Sequence, residues 1–168
     1  MEKNVIILTG DNLEGKTKFI NILKTKENVW LWNINKYNSL SHLSYPFGWD
    51  GNKKDKKFRS WIDEFSALAE KYWDYTFHYS DIMIQNFLEH DGANYLIIHG
   101  YENNHEGIKK LKEIFPNVFS LHIPYPDYYI TSEFKYDEIL LFENNTDEEI
   151  EITVNNLYEN FRKEEEGE

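Results

Sequence analysis

The amino-acid sequence predicts an α/β domain built on a mostly parallel five-stranded sheet with helices on both faces. Val5 to Leu8 and Tyr95 to Ile98 are short, continuous apolar runs rich in branched residues, too short for helices and suited to strands buried on both faces. Between such runs lie longer segments whose apolar residues recur at helical spacing, as expected of helices lying on a sheet. A glycine-bounded turn, Gly10 to Gly15, joins the first run to the first helical segment, so the chain opens as a βαβ unit.

The elements follow in order. Phe19, Ile20 and Leu23 mark a helix from Lys16 to about Lys24, and Val29 to Trp32 reads as a second strand. Residues 34 to 54, rich in Asn, Ser, Lys and Gly, read as a long irregular segment, a kind that is usually functional. Phe58, Trp61, Ile62, Phe65, Leu68, Ala69 and Tyr72 form a helical stripe from Asp55, and a further helix is expected from Ser80 to Glu89. Glu106 to Phe115 carries Ile108, Leu111 and Ile114 on one face before Pro116 stops it. Val118 to Ile123 and Glu138 to Phe142 supply the last strands, and Thr146 with Glu149 forms a capping-box pattern before the final helix. One domain spans 1–163, with 164–168 as a frayed acidic tail.

Composition narrows the function classes. The 168 residues carry 18 basic and 30 acidic side chains, a formal charge of −12, which disfavours nucleic acid and anionic membranes as partners. The chain has no cysteine, which removes disulfides, thiolate metal sites and a cysteine nucleophile. No apolar run approaches the roughly 20 residues that span a bilayer, and the first residues lack a signal pattern. A soluble cytoplasmic protein is expected.

Gly10-Asp11-Asn12-Leu13-Glu14-Gly15-Lys16-Thr17 matches G-x-x-x-x-G-K-[ST] between a predicted strand and a predicted helix, the context this phosphate-binding loop requires. Its glycines allow backbone amides to face a phosphate, Lys16 neutralises the terminal phosphates, and Thr17 offers a hydroxyl to magnesium. Asp11 and Glu14 place two carboxylates in the same loop, so each must turn away from the anion or approach the metal. With this motif, the fold expectation becomes the three-layer fold of P-loop nucleotide-binding proteins.

Further along, Trp49-Asp50-Gly51-Asn52-Lys53-Lys54-Asp55 followed by Arg59 resembles the W-D-G-x-K-D-x-x-x-R segment of phage deoxynucleoside monophosphate kinases. Weaker similarities follow in the family's order: His105-Glu106 to D-x-R-x-x-N-E, Thr131-Ser132-Glu133 to H-x-S-E, and Phe142 to Thr146 before the last helix. The resemblance runs from about residue 4 to residue 162. It implies transfer of the γ-phosphate of ATP, with Mg2+, to a deoxynucleoside monophosphate, and cytoplasmic residence in the host of a phage. It also leaves a homodimer open. ATP and metal would sit on Gly10 to Thr17, with Asp11 and Thr17 toward the metal. Lys16, Lys53 and Arg59 would be catalytic, and the acceptor would meet Trp49, Asp50, Lys53, Lys54, Asp55, Arg59, Glu106, Ser132 and Glu133.

Several of these residues have a plainer reading. Asp55 could cap the helix that follows it, and Glu106 could complement a helix N-terminus. Tyr125, Tyr128 and Tyr129 could wall a base or pack over the sheet edge. The chain reads His99-Gly100 where the family carries an acid after the third strand, and its two arginines are Arg59 and Arg162. Phosphoryl transfer draws on several fixed cations, so the alternative expectation is a catalytically reduced kinase-like module that binds a nucleotide or a protein.

Overall fold

A computed structural model describes residues 3–90, 92–101, 104–125 and 134–166, without side-chain detail from 161 onward. The sheet is parallel throughout, in the order β2-β3-β1-β4-β5. Its strands are β1 (Asn4–Thr9), β2 (Val29–Asn33), β3 (Tyr95–His99), β4 (Val118–His122) and β5 (Glu138–Ile139). The helices are α1 (Leu13–Leu23), α2 (Lys36–Ser39), α3 (Lys56–Trp73), α4 (Tyr75–Glu89), α5 (His105–Ile114) and α6 (Asp147–Glu166), with a 3-10 helix over Ser41–Phe47.

The two faces of the sheet carry separate cores, as strand alternation requires. Val5, Ile7, Leu96 and Ile98 point to one face, where Ile84 and Phe87 of α4 and Ile108 and Leu111 of α5 cover them. Ile6, Leu8, Ile97 and Leu121 point to the other, against Phe19 and Leu23 of α1 and Ile150, Val154 and Leu157 of α6. The fold is therefore the expected three-layer α/β arrangement, with central β1 flanked by β3 and β4. A smaller cluster of Leu40, Phe58 and Ile62 ties α3 to the segment after β2.

Several elements differ from the sequence expectation by more than one residue. Asn12 caps α1, its side chain accepting from the Gly15 amide at 2.9 Å, so the helix begins at Leu13 and not at Lys16. The segment 34–54 is partly ordered as α2 and the 3-10 helix, because Asn35 caps α2 through the Tyr37 amide. The fourth helix starts at Tyr75, five residues early, since Asp74 takes a left-handed conformation (φ 47°) that breaks α3 and restarts the chain at once. β4 stops at His122, and β5 pairs for two residues only because its partner ends there. The last helix continues to Glu166.

Both expected caps form, one in altered shape. Asp55 accepts from the Phe58 amide at 2.9 Å and caps α3. Thr146 accepts from the Glu149 amide at 3.2 Å, but the Glu149 carboxylate reaches further back, to the amides of Glu143 and Asn144. No helix among the described residues is long and apolar enough to cross a membrane.

Candidate functional site

The carboxyl ends of β1, β3 and β4 converge on the start of α1, the place where ligands collect in open α/β sheets. Gly10 is required there: its φ is +132°, and a Cβ would lie 2.1 Å from the Ile123 carbonyl oxygen. The chain thus crosses directly over the end of β4 before entering α1. Lys16 projects among the strand ends, close enough to Asp11, His99 and His122 for each pair to interact electrostatically. Burial lowers the Lys16 pKa, and Asp11 opposes that shift. Burial also lowers the pKa of His99, aided by Lys24 and Lys16, and that of His122, aided by Lys16 and His105 against Asp11. Both imidazoles are held toward the neutral form.

The loop itself is closed. Asn12 is fully buried, takes the Gly15 amide on its Oδ1, and donates from Nδ2 to Asn145 Oδ1 at 2.7 Å. The Lys16 amide donates to the Asn12 carbonyl, and the Thr17 hydroxyl donates to the Leu13 carbonyl at 2.8 Å. Lys18 fastens the same corner, donating to the Asn145 carbonyl and pairing with Glu14 and Asp147. Glu14 therefore turns away from the loop, as its charge demands, while Asp11 stays near Lys16. The amides of Gly15 and Lys16, expected to face a phosphate, are spent on Asn12.

One residue past His99 lies a cleft of about 600 Å3, lined by Ile34 and Gly100 at the strand ends, by residues of α2, α3 and α4, by Asp74 between the last two, and by Asn104, the cap of α5. Asp63, Ser66, Ala67 and Glu70 supply one wall from a single face of α3. Lys36 pairs with Asp63 at 3.0 Å, and the Tyr37 hydroxyl donates to the same carboxylate at 2.6 Å. Arg59, one helical turn before Asp63, lies over the Tyr37 ring at 4.1 Å. Asp74 pairs with Lys110 at 2.6 Å. Glu70 instead accepts from neutral donors: the Thr76 amide and hydroxyl at 2.9 and 2.8 Å, and Asn104 Nδ2 at 3.0 Å.

The remaining expected site residues lie elsewhere. Trp49, Asp50 and Asp55 line a second depression of about 380 Å3 with Lys57 and Trp61. There Trp49 stacks on Phe58 (4.0 Å, 11°) and Asp50 accepts from the Asn52 amide. Lys53 bonds to Asn38, and Lys54 is exposed. Glu106 is exposed in the first turn of α5, near Lys110. Ser132 and Glu133, with Tyr128 and Tyr129, lie outside the described residues. Tyr125 is exposed and lines none of these depressions. The cleft residues Lys36, Asp63, Glu70, Thr76 and Asn104 were not expected. The i, i+4 and i+3 spacing of Arg59, Asp63, Ser66 and Glu70 was the signal, a polar stripe on α3 opposite the apolar one.

An imidazole-phenol cluster closes the β4 side. Thr9 Oγ1 meets His122 Nδ1 at 2.8 Å, His122 stacks on Tyr136 (4.4 Å, 14°), and the Tyr136 hydroxyl meets His105 Nε2 at 2.8 Å.

Fold and strand-end site together define a three-layer α/β protein with an all-parallel five-stranded sheet and a glycine-bounded loop between β1 and α1. No family model matches the chain, and no curated protein matches it. Among solved structures it is similar to one described as "a putative kinase" from Chloroflexus aurantiacus J-10-fl, with a TM-score of 0.56 and 14% identity, covering 95% of this chain and 96% of that one. At that identity the similarity shows a shared fold over nearly the whole of both chains.

Proposed function

We propose that the chain is a phosphotransferase that binds ATP at the first turn of α1 and passes its γ-phosphate to a deoxynucleoside monophosphate in the adjoining cleft. The observation that carries this reading is Lys16, set by the Gly10 to Thr17 motif at the strand ends beside His99, whose neighbour Gly100 lines a cleft that also holds Lys36, with Arg59 over the nearby Tyr37 ring. Lys16 neutralises the transferred phosphoryl group, Lys36 and Arg59 receive the acceptor phosphate, and transfer is in line without a covalent intermediate. The triphosphate replaces the Asn12 carboxamide as acceptor of the Gly15 amide, since both present oxygen to the same donor. Thr17 and Asp11 are the oxygen donors that suit magnesium, which takes one or two protein oxygens and fills its shell with water and phosphate. Bound there, the metal would offset charge on the phosphates.

His99 at the end of β3 and the bonded loop amides favour a second reading, in which the chain binds nucleotide and does not turn it over. Incubation with magnesium-ATP and each common deoxynucleoside monophosphate separates the two. Diphosphate product is the expected outcome, while nucleotide binding with no diphosphate from any acceptor establishes the second reading.

A further inference from the structure

We infer that Glu70 is a specificity-determining residue, and that the inner end of the cleft takes a ligand edge carrying adjacent N–H donors, which among the common bases is the edge of guanine. The inference rests on the reading of this cleft as the acceptor site.

Charge separates the acidic residues of the cleft. Three carboxylates line the cleft. Asp63 is matched by Lys36 and Asp74 by Lys110, whereas Glu70 forms no ion pair among the described residues and is held by the Thr76 amide, the Thr76 hydroxyl and Asn104. Glu70, which feels Lys110 only at longer range, is therefore the cleft carboxylate without a bonded cation, and the end edged by Lys36 is the one suited to a phosphate.

Geometry then selects the other end of the ligand. Glu70 Oε2 accepts two bonds from Thr76, and Oε1 accepts one from Asn104, leaving Oε1 able to accept again. Thr76 Oγ1 spends its hydrogen on Glu70 and presents lone pairs beside it. Asn104 cannot turn its amide around, because its Oδ1 caps α5 through the Gly107 amide at 2.9 Å. The result is a short row of fixed acceptors that still carry lone pairs, Glu70 Oε1 and Thr76 Oγ1, with Glu70 Oε2 already filled. Tyr75 lines the same cleft and is pinned by its hydroxyl to Ser39 at 2.8 Å.

Such a row rewards neighbouring donors and rejects acceptors, because an acceptor facing a carboxylate leaves both groups unpaired. Guanine offers N1–H and its N2 amino group side by side. Adenine and cytosine each place a ring acceptor next to their amino group, and thymine flanks its single N–H with two carbonyls. A site built to bond donors discriminates strongly against ligands that lack them.

The test is calorimetric titration of the full chain with dGMP, dAMP, dCMP and dTMP, together with dIMP, which keeps N1–H and lacks the 2-amino group. The expected result is dGMP binding at least ten-fold tighter than the other three common monophosphates and several-fold tighter than dIMP. Glu70→Gln, which places an amide donor in the row, is expected to reduce dGMP affinity at least ten-fold with little change for dAMP. The dIMP comparison uses the wild-type chain, so it decides the matter even if that variant fails to fold. Binding of all four within about three-fold, or of none, overturns the inference. Selective dGMP binding without diphosphate formation upholds it and removes the kinase reading; equal diphosphate formation from all four upholds the kinase and removes the inference.

Discussion

Lys16 shows how one side chain is prepared by its surroundings. Its ammonium is half-buried among the ends of β1, β3 and β4, and burial lowers its pKa while Asp11 opposes the change. A partly desolvated cation binds an incoming anion more strongly, because little water is left to be displaced. Lys16→Ala is therefore expected to weaken ATP binding by about 2 kcal/mol or more, since a hydrogen bond to a charged group contributes roughly 1.5 to 3 kcal/mol. Lys16 belongs to none of the hydrophobic core clusters, so the far-ultraviolet circular dichroism should be preserved. Calorimetry reads the affinity, and an unchanged value would move the nucleotide away from α1.

At the scale of elements, the start of α1 is tied to the start of α6. Asn12 and Asn145 are 133 residues apart in sequence yet bonded side chain to side chain, and Lys18 bridges to the Asn145 carbonyl and to Asp147. Asn145 has φ 52°, a conformation glycine also adopts without strain. Asn145→Gly thus removes the amide acceptor while keeping the backbone, and strands the buried Asn12 Nδ2. A loss of about 1 to 3 kcal/mol in urea unfolding is expected from that unsatisfied donor. ATP affinity should rise in the same variant, because Asn12 then releases the Gly15 amide more readily. Full stability together with unchanged affinity would mean that the contact does not hold the loop closed.

For the molecule as a whole, pH is the informative variable. His99 and His122 both have pKa values lowered in the folded state by burial and nearby cations, whereas in the unfolded chain each returns to about 6.5. Below that pH the unfolded chain binds more protons than the native one, so the stability these groups contribute is complete above about 6.5 and is lost as pH falls beneath it. The net charge of −12 relaxes over the same range and acts in the opposite sense, so the histidine contribution is read as a difference. The urea midpoint of wild type is expected to fall relative to that of His99→Gln between about pH 6.5 and 5.5. Parallel profiles would show that His99 protonates as freely in the folded protein as in the unfolded chain.

The sequence alone determined what local chemistry can determine. Val5 to Leu8 and Tyr95 to Ile98 announced buried parallel strands, Phe58, Ile62 and Ala69 the inner face of α3, and Asp55 the cap of that helix. Each signal lies within a few residues of its consequence, because strand and helix periods and caps are short-range properties. The motif around Lys16 likewise announced a helix directly after β1, although its start at Leu13 lies three residues before the expected Lys16. Only the tertiary structure decided what the loop amides bond to, since Asn12 owes its closed position to Asn145 at the far end of the chain. The cleft is long-range in the same way. Lys36 comes from α2, Glu70 from α3, Thr76 from α4 and Asn104 from the cap of α5, and no spacing along the chain encodes their meeting. Asp63 and Glu70 look like ordinary charges on a solvated helix face. They become an ion-paired carboxylate and one without a bonded cation only when the fold brings Lys36 to the first and hydrogen bonds from Thr76 and Asn104 to the second.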